Sequence, residues 1–309
     1  MHGRGVSASP NAELVGVYDP QIARAHAVTK KFGGRVFRSL DEVLADSRVK
    51  AVHVLTPPAG HIPVAVASLR AGKHVLVEKP VAWRISEINR LQGAALKANR
   101  VCMPAHNYIY NATLRRAKRL IESGRLGAIA SFWMLLNVFH SEESAAAYGG
   151  VIRAACVHHA YSLLYLLGRP SKVTVTMSSL HYTKLKCEDQ ASIVCQMPNG
   201  AIATLWCSWA ANDPTSDPWT LVYKVLGTKG GTVFSWNEAQ VEDHGGPAWG
   251  LPCYEENFKN EIDHFIERCI LRFEQPLSTL ADAADSLKII EAAERSYRHQ
   301  RTEVVKYDQ

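Results

Sequence analysis

The run Ala71-Gly-Lys-His-Val-Leu-Val-Glu-Lys-Pro80 decides the fold. Gly72 is suited to ending a helix, because glycine enters the left-handed conformation of a helix terminus at little steric cost. His74 to Val77 is nearly all apolar, as expected of a strand buried on both faces, and such strands belong to parallel sheets covered by helices. Pro80 removes a ladder donor and biases Lys79 away from helical geometry. A buried strand therefore delivers Glu78 and Lys79 to its carboxyl end, the edge at which open parallel sheets bind ligands.

Working outward, Glu13 to Asn107 alternates short β-branched runs with helical stretches, the pattern of βαβ units. Val15 to Asp19 is the first expected strand, followed by a helix over Ile22 to Phe32 and a short strand at Arg35 to Phe37. Ser39-Leu-Asp-Glu42 is a capping box that opens the next helix. The strand Ala51 to Leu55 stops at Thr56-Pro57-Pro58, a helix spans His61 to Ala71, and a further helix precedes a strand at Val101. After the helix Thr113 to Ser123 the pattern changes. Val173 to Ser178, Ala191 to Gln196, Ala201 to Ser208 and Leu221 to Leu226 are separated by turn signals and predict one large antiparallel sheet. Gly149 to Gly168 reads as a loop entering a buried helix, and Asn257 to Leu271 and Leu280 to Arg298 as amphipathic helices. The expected division is a dinucleotide-binding domain over 1–120 and a substrate-binding and oligomerisation domain over 121–309.

The chain has 309 residues, 47% of them hydrophobic and 21% charged, ample for two packed cores. Its formal charge of +6 is spread without a long basic run, so nucleic acid is not an expected partner. Seven cysteines without a Cys-x-x-Cys pair argue against a disulfide framework and a zinc site, and so for a reducing, cytoplasmic setting. No leader pattern opens the chain and no apolar run approaches the ~20 residues of a membrane span, so neither secretion nor a membrane partner is expected.

The strand ends carry Asp19, Thr56-Pro57, Glu78-Lys79 and His106-Asn107. Asp19 suits the two hydroxyls of an adenosine ribose and would repel a 2′-phosphate, which favours NAD; the competing reading is that Asp19-Pro20 only starts a turn and helix. Lys79 can reach a substrate hydroxyl beside a nicotinamide. To act as a base near neutral pH, its pKa must fall from about 10.4 to about 7 to 8, helped by desolvation and the positive nicotinamide ring. Glu78 would oppose that, and is expected to point at cofactor or backbone; alternatively, Lys79 is a surface lysine in a proline turn.

Val54-Leu-Thr-Pro-Pro-Ala-Gly-His61, the run Ala71 to Pro80, Ile121-Glu-Ser-Gly-Arg-Leu-Gly127, Gly149-Gly150, His158, Leu166-Leu-Gly168 and Gly227-Thr-Lys-Gly-Gly231 closely resemble the glucose-fructose oxidoreductase and inositol dehydrogenase family, Gfo/Idh/MocA. The resemblance covers the chain from Ser9 onward. It implies an α/β fold, with a Rossmann-type parallel sheet followed by an α/β domain with a large open antiparallel sheet. The implied chemistry is reversible hydride transfer between NAD and a secondary alcohol of a sugar, sugar derivative or cyclitol, with Lys79 moving the hydroxyl proton. Asp19, Thr56, Pro57, His61, Glu78, Lys79 and Asn107 are the expected cofactor contacts, and His158 and His159 join Lys79 as catalytic candidates. No metal is expected. Small-molecule substrate and a homodimer or homotetramer complete the expectation.

Two departures qualify it. Ala154 stands where relatives place an Asp four residues before the histidine, and Tyr161 where another Asp often follows, so a core role for His158 stays open. The family's first strand and Gly-x-Gly-x-x-Gly turn have no counterpart; Gly3-Arg-Gly5 is at most a relic of that turn. The chain is accordingly expected to bind NAD poorly as it stands and to begin upstream in its natural form. Two other readings remain: a catalytically silent paralogue that binds dinucleotide or sugar, and an NAD-assisted glycosidase. Trp206, Trp209, Trp219 and Trp236 are candidates for sugar stacking, or for core and interface packing.

Overall fold

The computed structural model describes residues 1–146, 148–213, 219–235 and 252–307; Trp236 lies outside them, and for Trp219 only the backbone is described. The chain forms two compact units, one of Met1–Tyr110 with Glu255–Leu280, the other of Asn111–Tyr254 with Ala281–Gln309. The chain therefore leaves the first unit near residue 110, ten residues before the expected division at 120, and returns to it with a late helix.

The first unit begins with helix α1 (His2–Ala8), then β1 (Gly16–Val17), α2 (Ile22–Phe32), β2 (Arg35–Val36), α3 (Leu40–Ala45), β3 (Ala51–Val54), α4 (Pro58–Arg70), β4 (His74–Glu78), α5 (Ile85–Ala98) and β5 (Cys102–Ala105). A 3-10 turn over Asn107–Tyr110 follows. Half of the capping box forms: Ser39 Oγ accepts the Glu42 N–H, while the Glu42 carboxylate accepts the N–H of Arg38, one residue before the N-cap, in place of that of Ser39. The parallel strands make two sheets, β1-β2 and β3-β4-β5, rather than one. In the larger sheet Val54 lies opposite Val77 and Glu78 opposite Ala105. Val75, Leu76 and Val77 are all fully buried, so both faces of β4 are covered, and each such side chain contributes about 1.5 to 3 kcal/mol.

Gly3 and Gly5 are not a relic of a glycine turn. Both lie inside α1, where a Cβ on Gly3 would meet the Phe32 ring at 2.8 Å and one on Gly5 the Ile262 Cδ1 at 2.5 Å. Their smallness lets α1 approach α2 and the late helix α10 (Pro252–Asp263), which runs on as a π-helical segment, His264–Ile270.

The second unit comprises α6 (Ala112–Glu122), β6 (Ile129–Val138), α7 (Glu142–Ala145), α8 (Val151–Ala154), α9 (Cys156–Leu167), β7 (Lys172–Ser178), β8 (Gln190–Gln196), β9 (Ile202–Ser208), β10 (Trp219–Gly227) and β11 (Gly230–Ser235), with α11 (Leu280–His299) and β12 (Glu303–Val304). Among the described residues seven strands form one sheet in the order β11-β10-β6-β9-β8-β7-β12. It is mixed, not wholly antiparallel, because β6 pairs parallel with β9. The helical crossover through α9 sets β7 in the direction of β6, and two reversals then bring β9 in that same direction alongside it.

Alternation along these strands separates the faces. Phe132, Ala203, Cys195 and Val173 form a continuous buried row on one face. On the other, Trp133 lies between Lys224 and Thr204, Val194 between Thr204 and Thr174, and Trp206 between Leu135 and Ser192. Trp133 is 44% exposed, and Val194, Ile202 and Val233 are also exposed large apolar side chains.

Candidate active site

The three adjacent strands β3, β4 and β5 end at one edge of their sheet, and parallel pairing brings Thr56, Glu78-Lys79 and His106-Asn107 out there together. Asp19 follows β1 in the other small sheet. Its Oδ1 accepts the Gln21 N–H at 2.7 Å, so its carboxylate helps to start α2, as the alternative reading of Asp19-Pro20 anticipates. Pro57 is exposed and occupies the N-cap of α4. Thr56 packs its side chain on the first turn of that helix. A Cβ on Gly60 would sit 2.6 Å from Thr56 Oγ1, and that hydroxyl is buried with no hydrogen-bond partner. His61 is buried, with Nδ1 2.8 Å from the Pro80 carbonyl oxygen and Nε2 2.8 Å from that of Thr56. Both ring nitrogens are thereby used by the protein itself. Asn107 is buried in the 3-10 turn after β5.

Glu78 engages backbone and a neighbouring helix. Its Oε2 accepts the Lys79 N–H at 2.8 Å and its Oε1 lies 3.0 Å from His2 Nε2. Burial pushes the Glu78 carboxyl up, but the His2 hydrogen bond, the His2 and Lys79 charges and the Lys79 N–H outweigh it and hold the group below the usual carboxylate range. His106 lies within electrostatic reach of both Glu78 and Lys79, and burial first of all pushes it down to about 3, leaving a neutral imidazole. The Lys79-Pro80 peptide is cis.

The tertiary structure adds residues that the sequence does not single out. His2 stacks edge-on to His53 and to Phe258, with centroids 5.5 and 5.2 Å apart. Burial, with His2 adding to it, lowers His53 to about 3. Glu261 on α10 is fully buried, and neither carboxylate oxygen has a hydrogen-bond partner. Burial raises it well above the ordinary carboxyl value, and the Glu78 charge adds to the rise. Glu261 sits amid Phe258, Ile262 and Phe265, all buried, and only packing reveals that a polar residue shares their side of the helix.

In the second unit, Ala154 ends α8 and His158 lies in the first turn of α9, with a break at Ala155 between them. His158 and Tyr161 are buried; His159 is fully buried, neither of its ring nitrogens has a partner, and burial lowers it to about 3. A neutral, enclosed imidazole is the state in which His159 rests. The helix entry is built by Glu188, whose carboxylate accepts the Ile152 N–H at 2.9 Å while its carbonyl accepts that of Val151. Gly150, at φ +103°, is required there, since a Cβ would sit 2.7 Å from the Glu188 carboxyl carbon. Trp209 is buried between His140, at 4.8 Å between centroids, and Tyr148, at 6.4 Å. Trp206 instead belongs to the outer face of the sheet.

Residues 1–106 match the Gfo/Idh/MocA description "Oxidoreductase family, NAD-binding Rossmann fold", and residues 114–233 match the "GFO/IDH/MocA C-terminal domain". The chain belongs to the Gfo/Idh/MocA oxidoreductase family. It is 35% identical over 130 residues to glucose-6-phosphate 3-dehydrogenase of Bacillus subtilis (strain 168), covering 42% of this chain and 37% of that enzyme. It is 30% identical over 214 residues to 1,5-anhydro-D-fructose reductase of Ensifer adhaerens, covering 64% of this chain and 62% of the reductase. These matches thus span about a third to three-fifths of the relatives' own lengths. The crystal structure of GenD2 from gentamicin A biosynthesis in complex with NAD superposes with a TM-score of 0.87 at 25% identity, covering 99% of this chain and 93% of that one. Among the described residues no helix is long and apolar enough to cross a membrane, and no cluster of His, Cys, Asp or Glu suits a metal ion.

Proposed function

We propose that this protein is an NAD-dependent oxidoreductase that takes a hydride from a secondary alcohol of a sugar, sugar derivative or cyclitol. The observation that carries the reading is the delivery of Glu78 and Lys79 to the ligand-binding edge by a parallel strand buried at Val75, Leu76 and Val77, in a chain of this family. The strand-end residues fit a dinucleotide: the buried Thr56 hydroxyl still lacks a partner, and the Asp19 carboxylate suits ribose hydroxyls. Thr56, Pro57, Asn107 and Asp19 would hold the cofactor, which supplies the hydride acceptor when bound. Lys79 removes the proton from the reacting hydroxyl, and Glu78 fixes the backbone from which Lys79 projects. His158 is the catalytic candidate of the second unit, whereas the buried His159 supports the helix from within.

The named substrates of the two curated relatives support the sugar class, and the bound NAD of the structural neighbour supports the cofactor. Ala154, in the place of a carboxylate, favours a second reading, a silent paralogue that binds dinucleotide or sugar. Assembly as a homodimer or homotetramer through the outer sheet face belongs to the same proposal. A screen of sugars, sugar phosphates and cyclitols for NAD reduction tests it. Turnover of a secondary alcohol is the expected result, while NAD binding without turnover of any of them would favour the silent paralogue.

A further inference from the structure

Strand register aligns Asn137, Ser208, Gln190 and Ser178 across β6, β9, β8 and β7, so the segments beyond them gather at one end of the second unit's sheet. Phe139-His140 leave β6 there, Trp209 leaves β9, and residues 179–189 join β7 to β8. The entry to α8 belongs to the same end, because the Val151 N–H donates to the Glu188 carbonyl. His158 follows from it, its own N–H bonded to the Ala155 carbonyl.

Two carboxylates of this cluster are taken up by backbone. Asp189 accepts the N–H groups of Leu180, His181 and Tyr182, and Glu142 those of Lys184 and Leu185. Glu188 differs. Its Oε1 accepts the Ile152 N–H at 2.9 Å, but burial outweighs that bond and pushes the carboxyl up, as expected where donors are fewer than a carboxylate can accept. The Arg153 guanidinium, which acts on Glu188 through its charge, is bonded to Glu294 at 2.5 and 2.7 Å. Gly150 lies against the Glu188 carboxyl, whereas a Cβ on Gly149 would meet nothing within 4 Å, so open space begins one residue from that contact. Tyr148 comes next along the chain. It is 38% exposed, with its ring T-shaped against the buried Trp209 at 6.4 Å between centroids.

We infer that Glu188 and Tyr148 are specificity-determining residues that select a neutral polyhydroxy ring: the Glu188 carboxylate accepts its hydroxyl groups, and the Tyr148 ring covers a C–H face. Hydroxyl-to-carboxylate bonds are charge-assisted, and an aromatic wall with a few placed polar groups is the usual make-up of a small-molecule site. A phosphate or carboxylate of the substrate would meet the Glu188 charge here and is excluded from this position. The inference rests on the sugar or cyclitol class proposed above.

The test is equilibrium binding to the whole chain, with and without NAD, read by saturation-transfer NMR and calorimetry. The probes are myo-inositol, D-glucose and 1,5-anhydro-D-glucitol. At least one is expected to bind, with saturation concentrated on the C–H protons of one ring face. Glu188→Gln keeps an oxygen for the Ile152 N–H but removes the charge, and should weaken binding about tenfold or more, the contribution of one hydrogen bond to a charged group. Tyr148→Ala should do the same, and Tyr148→Phe, which keeps the ring, should bind as the parent does. Binding of none of the three probes overturns the inference, as does parent-like affinity in folded Glu188→Gln. Should that variant fail to fold, equal affinity of Tyr148→Ala and the parent overturns it. Sugar binding that these substitutions abolish, in a parent that reduces no NAD, would sink the oxidoreductase reading and leave the two residues their role. Turnover with a KM indifferent to both substitutions would do the reverse.

Discussion

The His2 imidazole and the Glu78 carboxylate lie 3.0 Å apart, joining α1 to the end of β4, while the other Glu78 oxygen accepts the Lys79 N–H. One carboxylate thereby ties an amino-terminal helix to the backbone of the candidate catalytic lysine. Replacing His2 by Phe keeps a ring but removes the hydrogen bond, and hydrogen bonds to charged groups contribute about 1.5 to 3 kcal/mol. His2→Phe is expected to lower stability to urea by that order. It should also weaken acid sensitivity between the usual carboxyl value and the lower folded one, because a carboxyl held low contributes stability that is lost as pH falls through its folded value. Equal stability of the two proteins at pH 7 would count against this.

Glu261 is the opposite case. Burial, with Glu78 adding to it, raises its carboxyl, so the folded state keeps the proton that the unfolded chain gives up from about 4.5 upward. Stability then declines with rising pH by about 1.4 kcal/mol per unit until the folded group ionises. Glu261→Gln should remove that decline and be more stable than the parent at pH 8. Urea melts from pH 5 to 9 measure it, and parallel curves for the two proteins would refute the assignment.

Lys79→Ala is expected to leave the fold intact, since Lys79 lies beyond the strand and is half-buried. Turnover of the substrate found in the screen should fall about 10²- to 10⁴-fold, the usual contribution of a general acid-base group. Undiminished turnover would remove Lys79 from the mechanism.

Ala154→Asp restores a carboxylate at the end of α8, ahead of the helix that carries His158. A carboxylate that accepts the second ring N–H fixes the tautomer and orientation of a histidine, and such partners commonly change activity about 10- to 100-fold. Turnover is therefore expected to rise by about tenfold or more. No gain in a folded variant would overturn the role given to the missing carboxylate.

Trp133, opposite Lys224 and Thr204 on the outer sheet face, tests assembly. Its ring is exposed together with Val194, Ile202 and Val233, the apolar surface that the proposed assembly would cover. Light scattering should give a dimer or tetramer at micromolar concentration, and Trp133→Glu should shift it towards monomer. A monomeric parent would contradict the proposal.

Periodicity and punctuation made much of the first unit legible without coordinates. Ile22–Phe32 is a helix at the expected bounds, Ser39 caps α3, and the apolar run at His74 becomes a strand covered on both faces. These are local matters, decided by which backbone a few neighbouring residues prefer and which side chains must leave water. Parallel pairing of β6 with β9 depends instead on the direction of a crossover. The helical Gly3 and Gly5 are explained by Phe32 and Ile262, which lie far along the chain. The same holds for the site. Its strand-end residues follow from the pattern of βαβ units, whereas His2, His53 and Glu261 join it only because packing brings α1, β3 and α10 against Glu78 or one another. Whether a given histidine or glutamate is charged is set by burial and by partners distant in sequence, and these exist only once the chain has folded.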